Sequence, residues 1–145
     1  MKIVPSMIEL KTGQGISLHD IMPDIEAAVA SSAISNGFVT VTSQHTTTAI
    51  CINENEDRLI DDVRTFLSRL IPSKDKYLHN DIELRDCPED EPENAHSHLA
   101  AMLLGSSEVI PLVGGELVLG QYQSVMLYEL DGPRCRKISV QVFGE

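Results

Sequence analysis

The last third of the chain constrains the fold most, because it consists of apolar runs that alternate with polar residues and are divided by turn signals. Four such runs occur, at 108–113, 116–119, 124–130 and 137–143. Alternation of this kind is typical of β-strands, and the pairs Gly114-Gly115 and Gly132-Pro133 mark turns between them. The segment therefore predicts a group of antiparallel strands.

Earlier in the chain the apolar period changes to that of a helix. It does so three times, near 22–35, over 59–71 and over 95–104, and a Pro or Gly follows or precedes each stretch in the manner of helix ends. Further strands are expected over residues 1–11, 16–18, 38–44 and 45–53. Residues 1–145 are therefore predicted to form a single α+β domain of seven or eight strands and three helices.

Charge and cysteine usage narrow the classes of function. The formal net charge is −11, which argues against a nucleic-acid surface and against an anionic membrane surface. No apolar run approaches the length that spans a bilayer. Three well-separated cysteines without a Cys-x-x-Cys pair predict a reduced, cytoplasmic protein with structural thiols.

The segment Ser43-Gln44-His45-Thr46-Thr47-Thr48-Ala49 follows the predicted strand 38–42. If the alternation continues, His45 shares a face with the buried Val39 and Val41. An imidazole beside three hydroxyls can bind a metal, move protons or hold a phosphate. The alternative is structural, since threonines favour strands and a single histidine more often has a packing role.

The remaining histidines lie around an unusually long segment without periodicity, residues 73–93, which carries a dense acidic run. His79 lies within it, and His96 and His98 follow on the predicted third helix. Residues two apart on a helix point about 200° apart, so only one of this pair can face a given site. Spacing alone gives weak evidence for a metal site, and His19 is expected to be structural.

The densest basic cluster is Arg134-Cys135-Arg136-Lys137. Arginine forks suit phosphate or carboxylate groups, and the hydroxyls of Thr46, Thr47 and Thr48 can donate to the same oxygens. The alternative is a solvated start to the last strand.

Several motifs together resemble the YjbQ-like family over nearly the whole chain. They are 43–49, Ile52-Asn53-Glu54-Asn55, Tyr77-Leu78-His79-Asn80-Asp81, Asn94-Ala95-His96-Ser97-His98-Leu99, Leu103-Leu104-Gly105, Gly120-Gln121-Tyr122-Gln123 and Asp131-Gly132-Pro133-Arg134. The chain departs from the family pattern at Tyr122, where Trp is common, and at Ser124, where Gly is usual. The resemblance implies a β-rich sandwich with helices and a homotrimer with sites near subunit contacts.

The resemblance also implies a site and a reaction. His45, His79 and His98 are expected to bind a divalent metal, Zn or Mg, with His45 and His98 also catalytic. The reaction implied is thiamine-phosphate synthesis, in which an aminopyrimidine methyl diphosphate loses pyrophosphate to a thiazole phosphate. Phosphate groups would be held by Thr46, Thr47, Thr48, Arg134 and Arg136.

Two other functions remain open. One is a metal-dependent hydrolase of a small phosphorylated substrate, and the other is a non-catalytic trimer that binds a metal or an anion. The metal itself is ambiguous, because diphosphate chemistry usually uses Mg²⁺ with oxygen ligands whereas three histidines suit Zn²⁺.

Overall fold

The computed structural model describes residues 1–145 and contains eight strands and three α-helices. In chain order these are β1 (Lys2–Lys11), β2 (Gly15–Asp20), α1 (Met22–Ser32), β3 (Gly37–Ser43), β4 (Thr48–Asn53), α2 (Asp57–Leu70), α3 (Ala95–Leu104), β5 (Ser107–Val113), β6 (Glu116–Leu117), β7 (Ser124–Gly132) and β8 (Cys135–Gly144). The predicted α+β class, with its strand and helix numbers, is confirmed.

The strands form two antiparallel sheets. The five-stranded sheet has the order β1-β8-β3-β5-β6, and the three-stranded sheet has the order β2-β7-β4. The C-terminal strand β8 lies between β1 and β3, with Val140 opposite Ser6 on one side and Val41 on the other. The chain's two ends therefore pair with each other, a long-range arrangement that local sequence patterns do not specify.

Alternation along the strands builds two apolar clusters. Val125 and Leu127 of β7 face the five-stranded sheet and pack in a cluster with Val41 and Val140. The next residue along, Met126, faces the opposite way and joins Ala49, Leu67, Ala100, Ala101, Tyr128 and Leu130 in a second cluster, which includes residues from α2 and α3. Both faces of the three-stranded sheet are thus buried, because successive side chains in a strand point to opposite faces.

The helix ends follow from local hydrogen bonds. α1 stops at Ser32, before the predicted end at residue 35, because Ala33 adopts a left-handed conformation with φ of 54°. The Ser32 hydroxyl donates to the carbonyl of Val29 and accepts from the N–H of Ile34. α2 begins after Glu56, whose carboxylate accepts from the N–H groups of Arg58 and Leu59. α3 spans 95–104 as predicted and ends at Gly105.

Two further features lie outside the two apolar clusters. The segment between α2 and α3 holds two short 3₁₀ turns, Leu78–Asn80 and Ile82–Leu84. The outer face of the five-stranded sheet has no helix over it and presents the stacked rings of Phe38 and Phe143, whose centroids lie 4.8 Å apart. The three helices lack the combination of length and hydropathy needed to cross a bilayer.

Candidate functional site

His45 lies in the connection between the two sheets rather than on a strand. β3 ends at Ser43 and β4 begins at Thr48, so the predicted face shared with Val39 and Val41 is wrong. Instead, the backbone N–H of Lys137 donates to Nε2 of His45 over 2.8 Å. The N–H of Gln44 donates to the carbonyl of Lys137 over 3.2 Å. The imidazole is therefore held against the start of β8.

A cleft separates this connection from α3. Its lining combines His45, Thr46 and Thr48 from the connection with His98, Ala101 and Met102 from α3 and Gly105 and Ser106 after it, and its volume is about 360 Å³. None of these side chains carries a formal charge when the imidazoles are neutral. The cleft therefore offers hydroxyls and imidazole nitrogens to a bound molecule.

His79 supports His98 from the long segment before α3. The two imidazole rings meet edge to face, with centroids 4.8 Å apart and planes 72° apart. The side chain of Asn80 accepts from the N–H of Ala95 over 3.1 Å, which fixes the His79 turn to the start of α3. His79 Nε2 and Asn94 Oδ1 are buried without hydrogen-bond partners, a costly condition that marks this corner as polar and incompletely satisfied.

Burial makes both cleft histidines weaker bases than usual. The pKa of His45 is lowered from 6.5 by partial burial and then by the positive charge of Arg136, with Glu129 opposing. The pKa of His98 is lowered from 6.5 by burial and then by His79, with Asp131 opposing. Because both shifts are downward, the two imidazoles are neutral at pH 7.

The predicted phosphate-binding threonines have different surroundings. Thr46 is exposed, whereas the hydroxyl of Thr47 accepts from Arg136 over 2.8 Å. Thr48 is fully buried, and its hydroxyl is hydrogen-bonded to that of Ser43. Phosphate binding stays a prediction for all three, and of them Thr46 alone has an exposed hydroxyl without a partner in the protein.

The predicted phosphate-binding arginines are occupied by carboxylates of the chain. Arg136 is 5 % exposed and forms a two-point pair with Glu129, with both N–O distances at 2.6 Å. Arg134 binds the carboxylate of Asp131 at 2.9 Å and its carbonyl at 3.2 Å. A phosphate would have to displace a carboxylate from either guanidinium, so phosphate binding by these arginines also stays a prediction.

Glu129 is the polar residue that the sequence did not bring forward. It is fully buried and faces between the two sheets, where it also accepts from the hydroxyl of Thr12 at 2.6 Å and the N–H of Asp131 at 2.9 Å. Its signal was a single carboxylate inside the apolar run 125–130. Such a residue requires a buried partner, which Arg136 on the facing sheet provides.

The three histidines expected to bind a metal are not gathered as expected within one chain. No group of three or more His, Cys, Asp or Glu side chains has a geometry that could hold a metal ion. His79 and His98 give at most two nitrogen ligands, and structural and catalytic zinc sites use at least three from the protein. One chain by itself therefore shows no complete metal centre, and metal binding by His45, His79 and His98 stays a prediction.

Known proteins resemble this chain over its full length. The model of the family described as UPF0047 protein YjbQ-like matches residues 6–145. A UPF0047 protein from Methanothermobacter thermautotrophicus is 40% identical over 145 residues, which cover 100% of this chain and 95% of the relative. The UPF0047 protein YugU of Bacillus subtilis is 29% identical, with 94% and 97% of the two chains covered.

Solved structures share the fold. A YbjQ-like protein of unknown function from Sulfolobus solfataricus superposes with a TM-score of 0.89 at 36% identity, covering 99% of both chains. An uncharacterised conserved protein of the YjbQ/UPF0047 family from Clostridium acetobutylicum gives 0.83 at 35% identity, covering 93% of this chain and 97% of the other.

These findings correct the predicted function. The relatives and structures carry no assigned reaction, and no three-ligand metal cluster is formed within the chain. The prediction of thiamine-phosphate synthase activity is therefore wrong on this evidence, and the metal-dependent hydrolase and the metal- or anion-binding trimer lose the same support. The similarity does show that the chain belongs to the UPF0047/YjbQ-like family.

Proposed function

We propose that the protein is an enzyme that transfers a proton on a small, uncharged polar molecule, with His98 as the base and His45 as a hydrogen-bond donor. The observation that carries this proposal is the cleft between the β3–β4 connection and α3. Two imidazoles line it, and both have a pKa below 6.5. Neutral imidazoles near neutral pH are the commonest groups for general acid–base catalysis.

The hydrogen bond from Lys137 supports the proposed donor role of His45. Nε2 of His45 accepts from a backbone N–H and so must be the unprotonated nitrogen of the neutral ring. The proton then resides on Nδ1, which is a donor. Protonating Nε2 would break the bond to Lys137, so the ring is kept neutral. His45 is therefore suited to polarise a carbonyl or hydroxyl oxygen of the substrate.

His98 has the complementary property. Neither ring nitrogen of His98 is hydrogen-bonded to the protein. The edge-to-face contact with His79 holds the orientation of the His98 ring. Its lowered pKa leaves it unprotonated at neutral pH and able to accept a proton. A donor and an acceptor thus line the same cleft, as proton abstraction next to a polarised oxygen requires.

The lining favours an uncharged substrate. The cleft side chains include no lysine or arginine, and Arg134 and Arg136 are both paired with carboxylates. The phosphorylated substrate implied by the resemblance finds no free guanidinium there. A molecule bearing hydroxyl or carbonyl groups matches Thr46 and Ser106 better.

We further propose self-association through the outer face of the five-stranded sheet, in line with the homotrimer that the resemblance implies. This face carries Ile3, Phe38 and Val109, which are 56%, 39% and 61% exposed. Exposed apolar residues that are neighbours on one sheet face often mark an interface. The face continues to Lys137, whose N–H holds His45, so association would bring a second chain close to the site.

The free thiols of Cys51, Cys87 and Cys135 support the predicted cytoplasmic location.

A generic ester, p-nitrophenyl acetate, tests the proposed base without knowledge of the substrate. An accessible neutral imidazole should hydrolyse it with a rate that rises with pH through a pKa below 6.5. His98→Gln should reduce the rate of ester hydrolysis to the background. With the natural substrate, general-base catalysis by this residue would raise the rate by about 10²–10⁴-fold.

The matched control is His19→Gln. His19 also has a pKa lowered by burial, but its Nε2 is bonded to Ser17 Oγ at 2.8 Å and it does not line the cleft. Its replacement should leave the rate unchanged. A His98→Gln rate equal to that of the unmodified protein would contradict the proposal.

A further inference from the structure

The end of β7 is hydrogen-bonded to both walls of the cleft. The N–H of Leu130 donates to the carbonyl of Thr47 over 3.1 Å, two residues after His45 in the β3–β4 connection. The carbonyl of Leu130 accepts from the hydroxyl of Ser97 over 2.6 Å, one residue before His98 on α3. A single residue of β7 therefore links the two segments that carry the cleft histidines.

The start of α3 has a second bond to the end of β7. Nδ2 of Asn94, the residue before the helix, donates to Oδ2 of Asp131 over 2.8 Å. Ser97 is 1% exposed and Asn94 is 6% exposed, so both donors are shielded from bulk water. Breaking such a bond leaves a buried polar group unpaired, which is costly. The two bonds therefore resist sliding and rotation of the helix against the sheet.

Three successive residues of α3 point to three different surroundings. His96 lines a pocket between α2, α3 and the start of β2, the Ser97 hydroxyl is bonded to β7, and His98 lines the cleft. Neighbouring residues on a helix are about 100° apart, so the direction of Ser97 fixes the directions of both histidines. A rotation of α3 by about 10° would displace a ring that lies about 6 Å from the helix axis by roughly 1 Å.

We propose that Ser97 is a positioning residue, which fixes the rotation of α3 and so holds the imidazole of His98 in the cleft with His45. The inference deepens the proposed proton-transfer function and rests on it. Proton transfer depends steeply on geometry, and a displacement of about 1 Å can reduce a rate by about 10²-fold. Ser97 does not line the cleft, so its effect on the reaction passes through His98.

A buried helical serine often has only a local role, and Ser32 in α1 provides the comparison. Its hydroxyl donates to the carbonyl of Val29, one turn back in the same helix, over 2.7 Å. A bond of that kind affects the helix itself, whereas the bond from Ser97 joins α3 to Leu130, 33 residues away. Loss of the Ser97 hydroxyl should therefore disturb the placement of α3 against the sheet, and loss of the Ser32 hydroxyl should not.

The test compares Ser97→Ala with the matched control Ser32→Ala. Each variant loses one buried hydroxyl, alanine favours helices, and far-UV circular dichroism verifies folding. In the unmodified protein, the ring protons of His79 and His98 should show a nuclear Overhauser effect, because the ring centroids lie 4.8 Å apart. The effect varies with the sixth power of distance, so a displacement of roughly 1 Å in Ser97→Ala should change it by about 3-fold. Ser32→Ala should leave it unchanged.

Ester hydrolysis gives the second readout. With p-nitrophenyl acetate, Ser97→Ala should lower the rate by about 10- to 100-fold, and Ser32→Ala should not change it. Ser97→Cys retains a weaker donor and should give intermediate values in both measurements, which keeps the test available if the alanine variant does not fold.

The two readouts separate failure of the positioning role from failure of the proposed function. An unchanged ring contact in the Ser97 variants, an unchanged rate in a protein that hydrolyses the ester, or an equal effect of Ser32→Ala would each overturn the positioning role. If the unmodified protein does not hydrolyse the ester, the proposed function fails, and the ring contact alone decides whether Ser97 orients His98.

Discussion

The buried pair between Arg136 and Glu129 should dominate the stability of the end of the sandwich near His45. In the Arg136→Met variant, the carboxylate of Glu129 stays fully buried but loses both of its 2.6 Å bonds to the guanidinium. Thr12 and the N–H of Asp131 are its remaining donors. Removing one partner of a buried ion pair typically costs about 3–5 kcal/mol, and we expect a loss in this range.

The double variant Glu129→Leu with Arg136→Met tests the origin of this loss. With both charges removed, no uncompensated ion remains, although the N–H of Asp131 and the hydroxyl of Thr47 lose their partners. We therefore expect the double variant to recover at least about 2 kcal/mol relative to Arg136→Met alone, a clear coupling between the two residues. The control is Arg134→Met, whose pair with Asp131 is 43% and 19% exposed and should contribute at most about 1 kcal/mol.

The assay is urea unfolding at pH 7 followed by far-UV circular dichroism, because the chain has no tryptophan. The free energy of unfolding and the urea dependence m are fitted for each variant, and an unchanged m shows that the same surface is exposed on unfolding. A loss below about 1 kcal/mol for Arg136→Met, or additive effects in the double variant, would refute the reasoning that the pair is buried and mutually compensated.

Three further predictions follow from the structure. Burial acts to raise the pKa of Glu129, but hydrogen bonds from Arg136, Thr12 and Asp131 outweigh it and lower the pKa below 4.5. The stability that this lowered pKa contributes is present above pH 4.5 and should be lost as the pH falls through the folded-state pKa. In acid titrations, the free energy of unfolding should therefore fall less steeply for Arg136→Met than for the unmodified protein. If the outer sheet face is an interface, Phe38→Glu should reduce the molar mass measured by light scattering. The control Phe66→Glu, at a 60% exposed site on α2, should leave the molar mass unchanged. Equal masses for the unmodified protein and both variants would contradict association through this face. Gly37→Ala should destabilise the protein by more than about 1 kcal/mol, because φ is 156° and the added Cβ would overlap the carbonyl oxygen of Phe143. The control is Gly13→Ala, whose added Cβ would lie in ordinary contact, 3.5 Å from Ser17 Oγ, and which should cost about 1 kcal/mol or less by the same denaturation assay.

Local patterns in the sequence determined the elements of the fold. Strand alternation, turn residues and helix-ending Pro and Gly predicted the α+β class, and α3 was predicted with its observed bounds. These features depend on interactions within a few residues, so they can be derived from sequence. The helical placement of His96 and His98 was derived in the same way, and the structure puts them in different cavities.

The tertiary structure alone decided which groups are free to act. Arg136 and the carboxylate that pairs with it, Glu129, lie on strands of different sheets. The predicted turn at Gly132-Pro133 brings these two residues near each other, but it does not show that they lie on different sheets and pair in the core, because the packing of two sheets arises from long-range burial. Likewise, the tautomer of His45 depends on the N–H of Lys137, 92 residues away. The sequence thus supplied the candidate side chains, whereas the fold determined which of them a ligand can reach.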